Sequence, residues 1–373
     1  MISPTALAQA CAALADTAGS VQIRGAGTAA DWAGRPEPAD LTLDTTALSG
    51  VITHNPGDMT VAVRAGTPLC ALNAELATHG QRVALDAARV SLGATVGGLI
   101  ATADSGPSAL VHGSLRDLVI GTTVVLADGT PARNGGHVIK NVAGYDLAKL
   151  MHGCHGTLAL IAEVVLRLHP VAAASTTLRL PASLADSVIA ARSVLASRLE
   201  PTALEWCDGG LLVRLTGNAC ALPPRSDRLA ALLGPLAERL DAEADAAAWR
   251  KHSALVAGAG GRAPDGLAML RLGVRPSRLP ALLAALTDGL GATDVTAGLA
   301  TGVATVALPV DTVAAAHQLV HRAGGTSMLR SRAGDSTAPG WGPAPSAIGV
   351  LRAVRAALDP AGRLGAGRFT PWL

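Results

Sequence analysis

Residues Gly135 to Pro170 read GGHVIKNVAGYDLAKLMHGCHGTLALIAEVVLRLHP, and no other stretch narrows the possible folds as much. Asp146 to His152 has the spacing of a short helix. Gly153-Cys154-His155-Gly156-Thr157 is a glycine-lined turn, and Leu158 to Leu168 is a largely apolar, strand-like run stopped by Pro170. Glycines at Gly153 and Gly156 let bare backbone approach whatever the turn encloses. The single tyrosine of the chain, Tyr145, lies in this stretch.

Two further glycine-rich runs precede it. Val21-Gln22-Ile23 reads as a strand that enters Arg24-Gly25-Ala26-Gly27-Thr28. Gly25, Gly27 and Ala30 match G-x-G-x-x-A, and Asp44 lies near the distance of a ribose-binding acid. A dinucleotide fold needs a helix to open directly on the glycines. Gly34, Pro36 and Pro38 break any helix there. The turn therefore reads as a concave nest of backbone N–H groups that suits an anion, or as an ordinary glycine turn. The second run, Ser91 to Ile100, can wrap a ligand through backbone contacts or can be a tight core turn. Gly113 to Gly121 follows it, with Arg116-Asp117 readable alone as a surface pair. Between the runs, Thr67 as N-cap, Pro68 at the first helical position and Leu69, Leu72 and Leu76 on one face predict a helix ended by Gly80. Asp128-Gly129 predicts a hairpin.

Taken in order, the three runs carry a resemblance. K-x-x-x-G-Y-D-x-x-x-L-x-x-G-x-x-G-T-L, from Lys140 to Leu158, resembles the flavin-binding (PCMH-type) domain of the vanillyl-alcohol oxidase family, which includes D-lactate and glycolate dehydrogenases. The wording is similar to that of FAD-binding subunits of bacterial glycolate oxidases. The resemblance implies that FAD is held by Arg24, Gly25, Ala26, Gly27 and Thr28 in the first run. In the second it implies Gly93, Ala94, Thr95, Gly97, Gly98, Ser105, Gly106, Gly113, Arg116 and Asp117. In the third it implies Lys140, Gly144, Tyr145, Asp146, Gly156, Thr157 and Ile161. Relatives that attach FAD covalently through the first loop carry a histidine near the position of Thr28, which this chain lacks, so the implied binding is noncovalent. The chain also departs from the family after Gly106, where Ser108 and Ala109 replace a basic residue, and at Leu364 to Ala366, which lack the usual asparagine and proline.

Beyond Pro170 the spacing of strands and helices from Leu267 to Arg330 gives β-α-β-β-α-β, the order of a ferredoxin-like unit, and the segment before it reads as a partial version. Helices are expected over 183–199 and 226–240, and Arg250 and His252 fall in a loop-like stretch. The expected architecture is α+β. Residues 1–170 form the PCMH-type FAD-binding domain, 171–340 a ferredoxin-like cap, and 341–373 a segment that returns to the first domain. Glu205, Arg214, Arg250, His252, Arg271 and Arg330 are the side chains of the cap with chemistry suited to a 2-hydroxy acid, and each also reads as a solvated strand or loop charge.

Composition excludes other classes. A length of 373 residues suits two or three domains, and 49% hydrophobic residues support a packed core. A net charge of +2 without a Lys/Arg block argues against nucleic acid. No long apolar run predicts a transmembrane helix, and the N-terminus reads as an amphipathic helix, not a signal peptide. Five scattered cysteines without C-x-x-C, and no metal-spaced histidines, predict neither disulfides nor a metal centre. The expected function is the FAD-binding subunit of a glycolate oxidase (dehydrogenase) complex. It would work beside a larger flavin subunit and an iron–sulfur subunit that leave the substrate site with a partner. Its expected place is the cytoplasm, peripheral to the inner membrane through those partners. A self-contained FAD-dependent 2-hydroxy-acid dehydrogenase and a flavin-less scaffold remain open as alternatives.

Overall fold

The computed structural model describes residues 1–138, 144–258, 262–332 and 336–373. Strand β1 (Val21–Arg24) pairs in parallel with β2 (Leu41–Asp44). There follow β3 (Val51–Asn55), β4 (Thr60–Arg64), β5 (Gln81–Arg82), β6 (Val119–Val125), β7 (Pro131–Gly135), β8 (Leu160–Arg167) and β9 (His169–Pro170). Strands β5 and β9 pair with each other, and the other five form an antiparallel sheet ordered β3-β4-β8-β6-β7. β8 is central because nearly every residue in it can be buried: Leu160, Ile161, Ala162, Val164 and Leu166 are all inside. Glu163, Val165 and Arg167 are only half-buried, and Thr123 donates to the Glu163 carboxylate at 3.0 Å.

The helix expected after Thr67 spans Leu69–Ala77 and buries Leu69, Leu72 and Leu76. Its N-cap is Pro68, one residue later than expected. The Thr67 hydroxyl is engaged elsewhere, donating to Arg64 O at 2.7 Å and accepting from Gly50 N at 2.9 Å. The Asp128-Gly129 hairpin joins β6 to β7, with Gly129 at φ +86°. The C-terminus closes on β1, where Leu364 bridges Val21 in parallel. Arg363 fixes that return through donations to Gly19 O (3.0 Å), Ala127 O (2.8 Å), Leu14 O (3.1 Å) and Thr17 O.

The second layer contains β10 (Ala174–Pro181), β11 (Ala203–Cys207), β12 (Gly210–Gly217), β13 (Glu238–Arg239), β14 (Leu267–Gly273), β15 (Thr293–Gly298), β16 (Val303–Pro309) and β17 (Thr326–Ser331). They form one sheet ordered β13-β10-β12-β11-β15-β16-β14-β17. The order is two β-α-β-β-α-β units laid edge to edge through the antiparallel pair β11–β15. The first unit is complete, where a partial one was expected. Its fourth strand, β13, is two residues long and has no apolar alternation to announce it.

Two helix expectations also change. The helix expected over 226–240 spans Leu222–Leu233, because prolines at its first turn start it early and Gly234 ends it. The stretch with Arg250 and His252 is not a loop but the helix Ala242–Ala257. Asp241 caps it, accepting from Ala244 N at 2.8 Å, and Glu243 and Asp245 sit in its first turn.

One face of the eight-stranded sheet packs leucines and valines against helices Leu184–Ala196, Leu222–Leu233, Leu279–Leu290 and Val313–Arg322. The other face is polar. Thr296 lies opposite both Cys207 and Thr305, and Thr305 lies opposite Arg271, so these side chains share one face. Glu205, two residues from Cys207, shares it too.

Candidate cofactor site

β1 ends in the turn Gly25 to Thr28, and no helix follows. The four N–H groups of Gly25, Ala26, Gly27 and Thr28 donate to no protein acceptor among the described residues. They face a groove of about 420 Å³, within the range of cofactor sites. The opposite wall is the start of helix Val96–Ala101, where Thr95 Oγ1 accepts from Gly98 N at 3.2 Å and Gly97 N donates to Ala65 O at 2.8 Å. Close approach leaves no room for larger residues. A Cβ on Gly25 would sit 2.7 Å from Thr95 Oγ1, and one on Gly97 would sit 2.9 Å from Ala65 Cβ. Gly156 and Ile161 form the floor, and Arg368 from the C-terminal return forms one end. Arg24, Arg89 and Arg368 line the groove, and among the described residues no Asp or Glu does.

Behind this wall is a buried charge cluster. Arg89 donates from Nε to Asp104 (3.0 Å), from Nη1 to Thr28 Oγ1 (2.9 Å) and from Nη2 to Thr102 Oγ1 (2.7 Å). Arg330 reaches the same carboxylate at 2.5 Å, and Arg271 stands 3.7 Å away. Trp32 is held between two of these cations, with Arg89 and Arg330 centred 4.0 and 3.9 Å from its ring. Burial alone would push the Asp104 carboxyl up, but Arg330, Arg89 and Arg271 outweigh it and hold it at about 2. Burial lowers Arg330, opposed by Asp104.

His155 stands on the groove with φ +50° and meets Trp341 and Phe369 edge to face at 5.5 and 5.6 Å. Burial, with Arg368, Arg89 and Arg330 nearby, lowers its imidazole to about 3, so it is neutral at physiological pH.

The implied residues divide into three groups. Arg24, Gly25, Ala26, Gly27, Thr28, Thr95, Gly97, Gly98, Gly156 and Ile161 line the groove together. Ser105 and Gly106 line a separate small cavity against the eight-stranded sheet. The other described ones lie off both. Gly93 ends a 3-10 turn at φ +81°, Ala94 is buried in the core, and the Thr157 hydroxyl donates to Cys154 O at 2.7 Å. Gly113 precedes the Ser114–Asp117 capping box, which explains Asp117, while Arg116 is exposed on that short helix. Gly144 and Tyr145 are exposed, and Asp146 caps helix Leu147–Met151. Lys140 lies outside the described residues.

Sequence reasoning missed Arg89, Asp104, Trp32, His155 and Arg368. An aspartate and an arginine inside an Ala/Gly-rich segment were the available signal for the first two. Ser108, neutral where relatives are basic, is occupied by Asp86, which accepts its N–H and, at 2.7 Å, its hydroxyl.

Residues 3–134 match the family model described as FAD binding domain. This segment is similar to that family, and the cofactor is FAD. The chain is 35% identical over 185 residues to the glycolate oxidase subunit GlcE of Escherichia coli, a match covering 50% of this chain and 53% of that protein. It is 39% identical over 115 residues to a D-lactate dehydrogenase of Archaeoglobus fulgidus, covering 31% of this chain and 26% of that protein. The match thus spans about half or less of each relative's length. Among solved structures, an alkyldihydroxyacetonephosphate synthase superposes with a TM-score of 0.69 over 98% of this chain and 75% of that one, at 16% identity, which speaks for the fold.

The groove suits FAD on its own chemistry. Four N–H groups without a protein acceptor and three arginines, with no carboxylate among the described lining residues, meet a diphosphate, and the glycines keep the wall low enough for it to approach. Among the described residues no helix is long and apolar enough to cross a membrane, and no group of three metal-ligating side chains is present.

Proposed function

We propose that the chain is the FAD-binding subunit of a glycolate oxidase complex. Residues 1–170 and the return 341–373 would hold the cofactor noncovalently, and 171–340 would be the cap. The observation that carries this reading is the glycine-walled groove, with its unpaired N–H groups at Gly25 to Thr28. The likeness to GlcE supports the choice of complex. Bound FAD supplies the hydride acceptor for oxidation of glycolate to glyoxylate. The chain's own residues bind and orient. The N–H groups and Arg24 take the diphosphate, and Arg89 braces Thr28 against Asp104. Neutral His155 and the aromatic residues Trp341 and Phe369 keep water from one end. The partners in this reading are a larger flavin subunit and an iron–sulfur subunit, and attachment to the inner membrane would come through them.

The test is direct. The purified chain, incubated with FAD and freed of excess, is expected to retain flavin absorbance that is released on denaturation. Co-expression with the two partners is expected to give a complex that reduces its flavin with glycolate. A chain that retains no flavin under any condition overturns the reading.

A further inference from the structure

Four basic side chains meet at one end of the first layer, and none of them lines the FAD groove or the small cavity against the eight-stranded sheet. Arg82 and His169 are direct partners in the β5–β9 pair, so they stand side by side on one face. His112 is the last residue of the short helix Ala109–His112, and its ring meets that of His169 with centroids 4.6 Å apart. Arg167 lies two residues before His169. Leu166 and Leu168 take the buried side of this run, which leaves Arg167 and His169 on the other. All four side chains are half-buried.

No described carboxylate pairs with the two arginines. Arg82 and Arg167 make no hydrogen bond and no ion pair with any described residue. Their Nε atoms, and Nδ1 of His169, are buried without a partner, so the Nη groups are the donors left to reach outward. The same two guanidiniums act on both imidazoles. His169 is lowered to about 4 by burial and then by His112, Arg167 and Arg82, and His112 is lowered by burial and then by Arg82. Asp86 is the acidic group that opposes them at His112, and its carboxylate is already engaged by the Ser108 N–H and, at 2.7 Å, the Ser108 hydroxyl. Cations gathered without a paired counter-charge repel one another, and the planar fork of a guanidinium is matched by an anion that offers several oxygens.

We propose that Arg82, Arg167, His112 and His169 form a second anion site, which takes a phosphate dianion, either free or as the phosphoryl group of a small phosphomonoester. Arg82 and Arg167 supply the charge and the forked donors, and the two imidazoles complete the ring around the oxygens. A dianion balances both guanidiniums, whereas a monocarboxylate leaves one of them over. Leu110, on the same short helix as His112, packs into the interior of the eight-stranded sheet. An anion held here therefore ties β5 and β9 of the first layer to a helix that also grips the second. The site goes beyond the flavin reading and does not rest on it.

The test is titration of the full chain with inorganic phosphate at constant ionic strength and slightly above neutral pH, where phosphate is mainly the dianion. The groove is first saturated with FAD, so that the N–H turn cannot take the ion. The ring resonances of His112 and His169, assigned with His112→Gln and His169→Gln, are followed by NMR. Phosphate is expected to bind with a dissociation constant below about 1 mM, to shift both rings and to raise the pKa of His169. Acetate is expected to bind at least tenfold more weakly. Arg82→Gln and Arg167→Gln are each expected to weaken phosphate at least tenfold. Neither side chain is bonded to the protein, so both variants are expected to fold, with thermal midpoints no lower than that of wild type when phosphate is left out. Phenyl phosphate binding within about threefold of phosphate assigns the site to a phosphomonoester, and much weaker binding assigns it to the free ion. Phosphate that shifts neither ring overturns the site, and so does a shift that both arginine variants leave intact. A chain that takes up no FAD overturns the flavin reading instead, and the ring shifts and the two variants still decide this one.

Discussion

Arg330 donates to Asp104 at 2.5 Å across a separation of 226 positions, joining the eight-stranded sheet to the loop that backs the FAD groove. With Arg89 on the other carboxylate oxygen and Trp32 between the two guanidiniums, one aspartate ties together the glycine turn, the groove wall and the sheet.

Removing that aspartate's charge is expected to be costly. Asp104→Asn leaves three guanidiniums without their shared counter-charge at a position 1% exposed. A loss of about 3–5 kcal/mol is expected, read from urea denaturation. A loss below about 1 kcal/mol would show that the cluster is paired by something else.

The same group sets a pH dependence. Its carboxyl stays ionised in the folded chain down to about 2, whereas unfolded it takes a proton near 3.8. The stability it contributes is therefore complete above about pH 4 and is lost as pH falls through about 2, an amount of about 2–3 kcal/mol. Denaturation midpoints of wild type and Asp104→Asn, measured across that window, are expected to converge at the acid end.

Histidines govern a separate and higher window. His155 is lowered to about 3, mainly by burial, and His152 to about 4 by burial and then Arg116. Above about pH 6.5 both are neutral folded and unfolded, so they contribute nothing. Below it the unfolded chain takes up protons that the folded chain refuses, and stability falls as pH drops towards 4. At about pH 5 each is worth on the order of 1–2 kcal/mol. His155→Gln is expected to flatten the curve of melting temperature against pH between about 6.5 and 4.5, and an unchanged slope would assign the effect elsewhere.

The groove predicts its own disabling substitutions. Gly25→Ala puts a methyl against Thr95 Oγ1 on the cofactor's side of the turn, and Gly27→Ala adds strain at φ +76°. Each is expected to weaken FAD at least tenfold in a fluorescence-quenching titration. The thermal midpoint without FAD should fall only by the few degrees that about 1 kcal/mol represents.

Cofactor binding should in turn be visible as stability. FAD at about a hundredfold excess over its dissociation constant is expected to add about 2.7 kcal/mol. Arg363→Ala removes donations to four backbone carbonyls and frees the segment that carries Arg368 into the groove. It is expected to cost about 2–4 kcal/mol and to shrink the stabilisation by FAD.

Local requirements were legible in the residues themselves. Gly25, Gly27, Gly97 and Gly156 are glycine because of what their own backbone does, and a reader of the chain meets them as runs. The helix Ala242–Ala257 was equally announced by Asp241, Glu243 and Asp245, and went unread because alanine-rich spacing has no apolar stripe. Long-range meetings were not legible. Nothing near Arg330 marks it as Asp104's partner, and nothing near Trp32 indicates two cations on its faces. Arg116-Asp117 shows the opposite hazard, since a motif that resembles a ligand loop serves here as a helix cap.

The edge-to-edge arrangement of β11 and β15 has a lasting implication. Glu205 belongs to one repeat, Arg271 and Thr305 to the other, and they converge where the two copies abut. On the far side of the sheet the leucines of both units pack into one continuous interior. The junction between the two units is thus a polar strip whose side chains point away from the leucine-packed face.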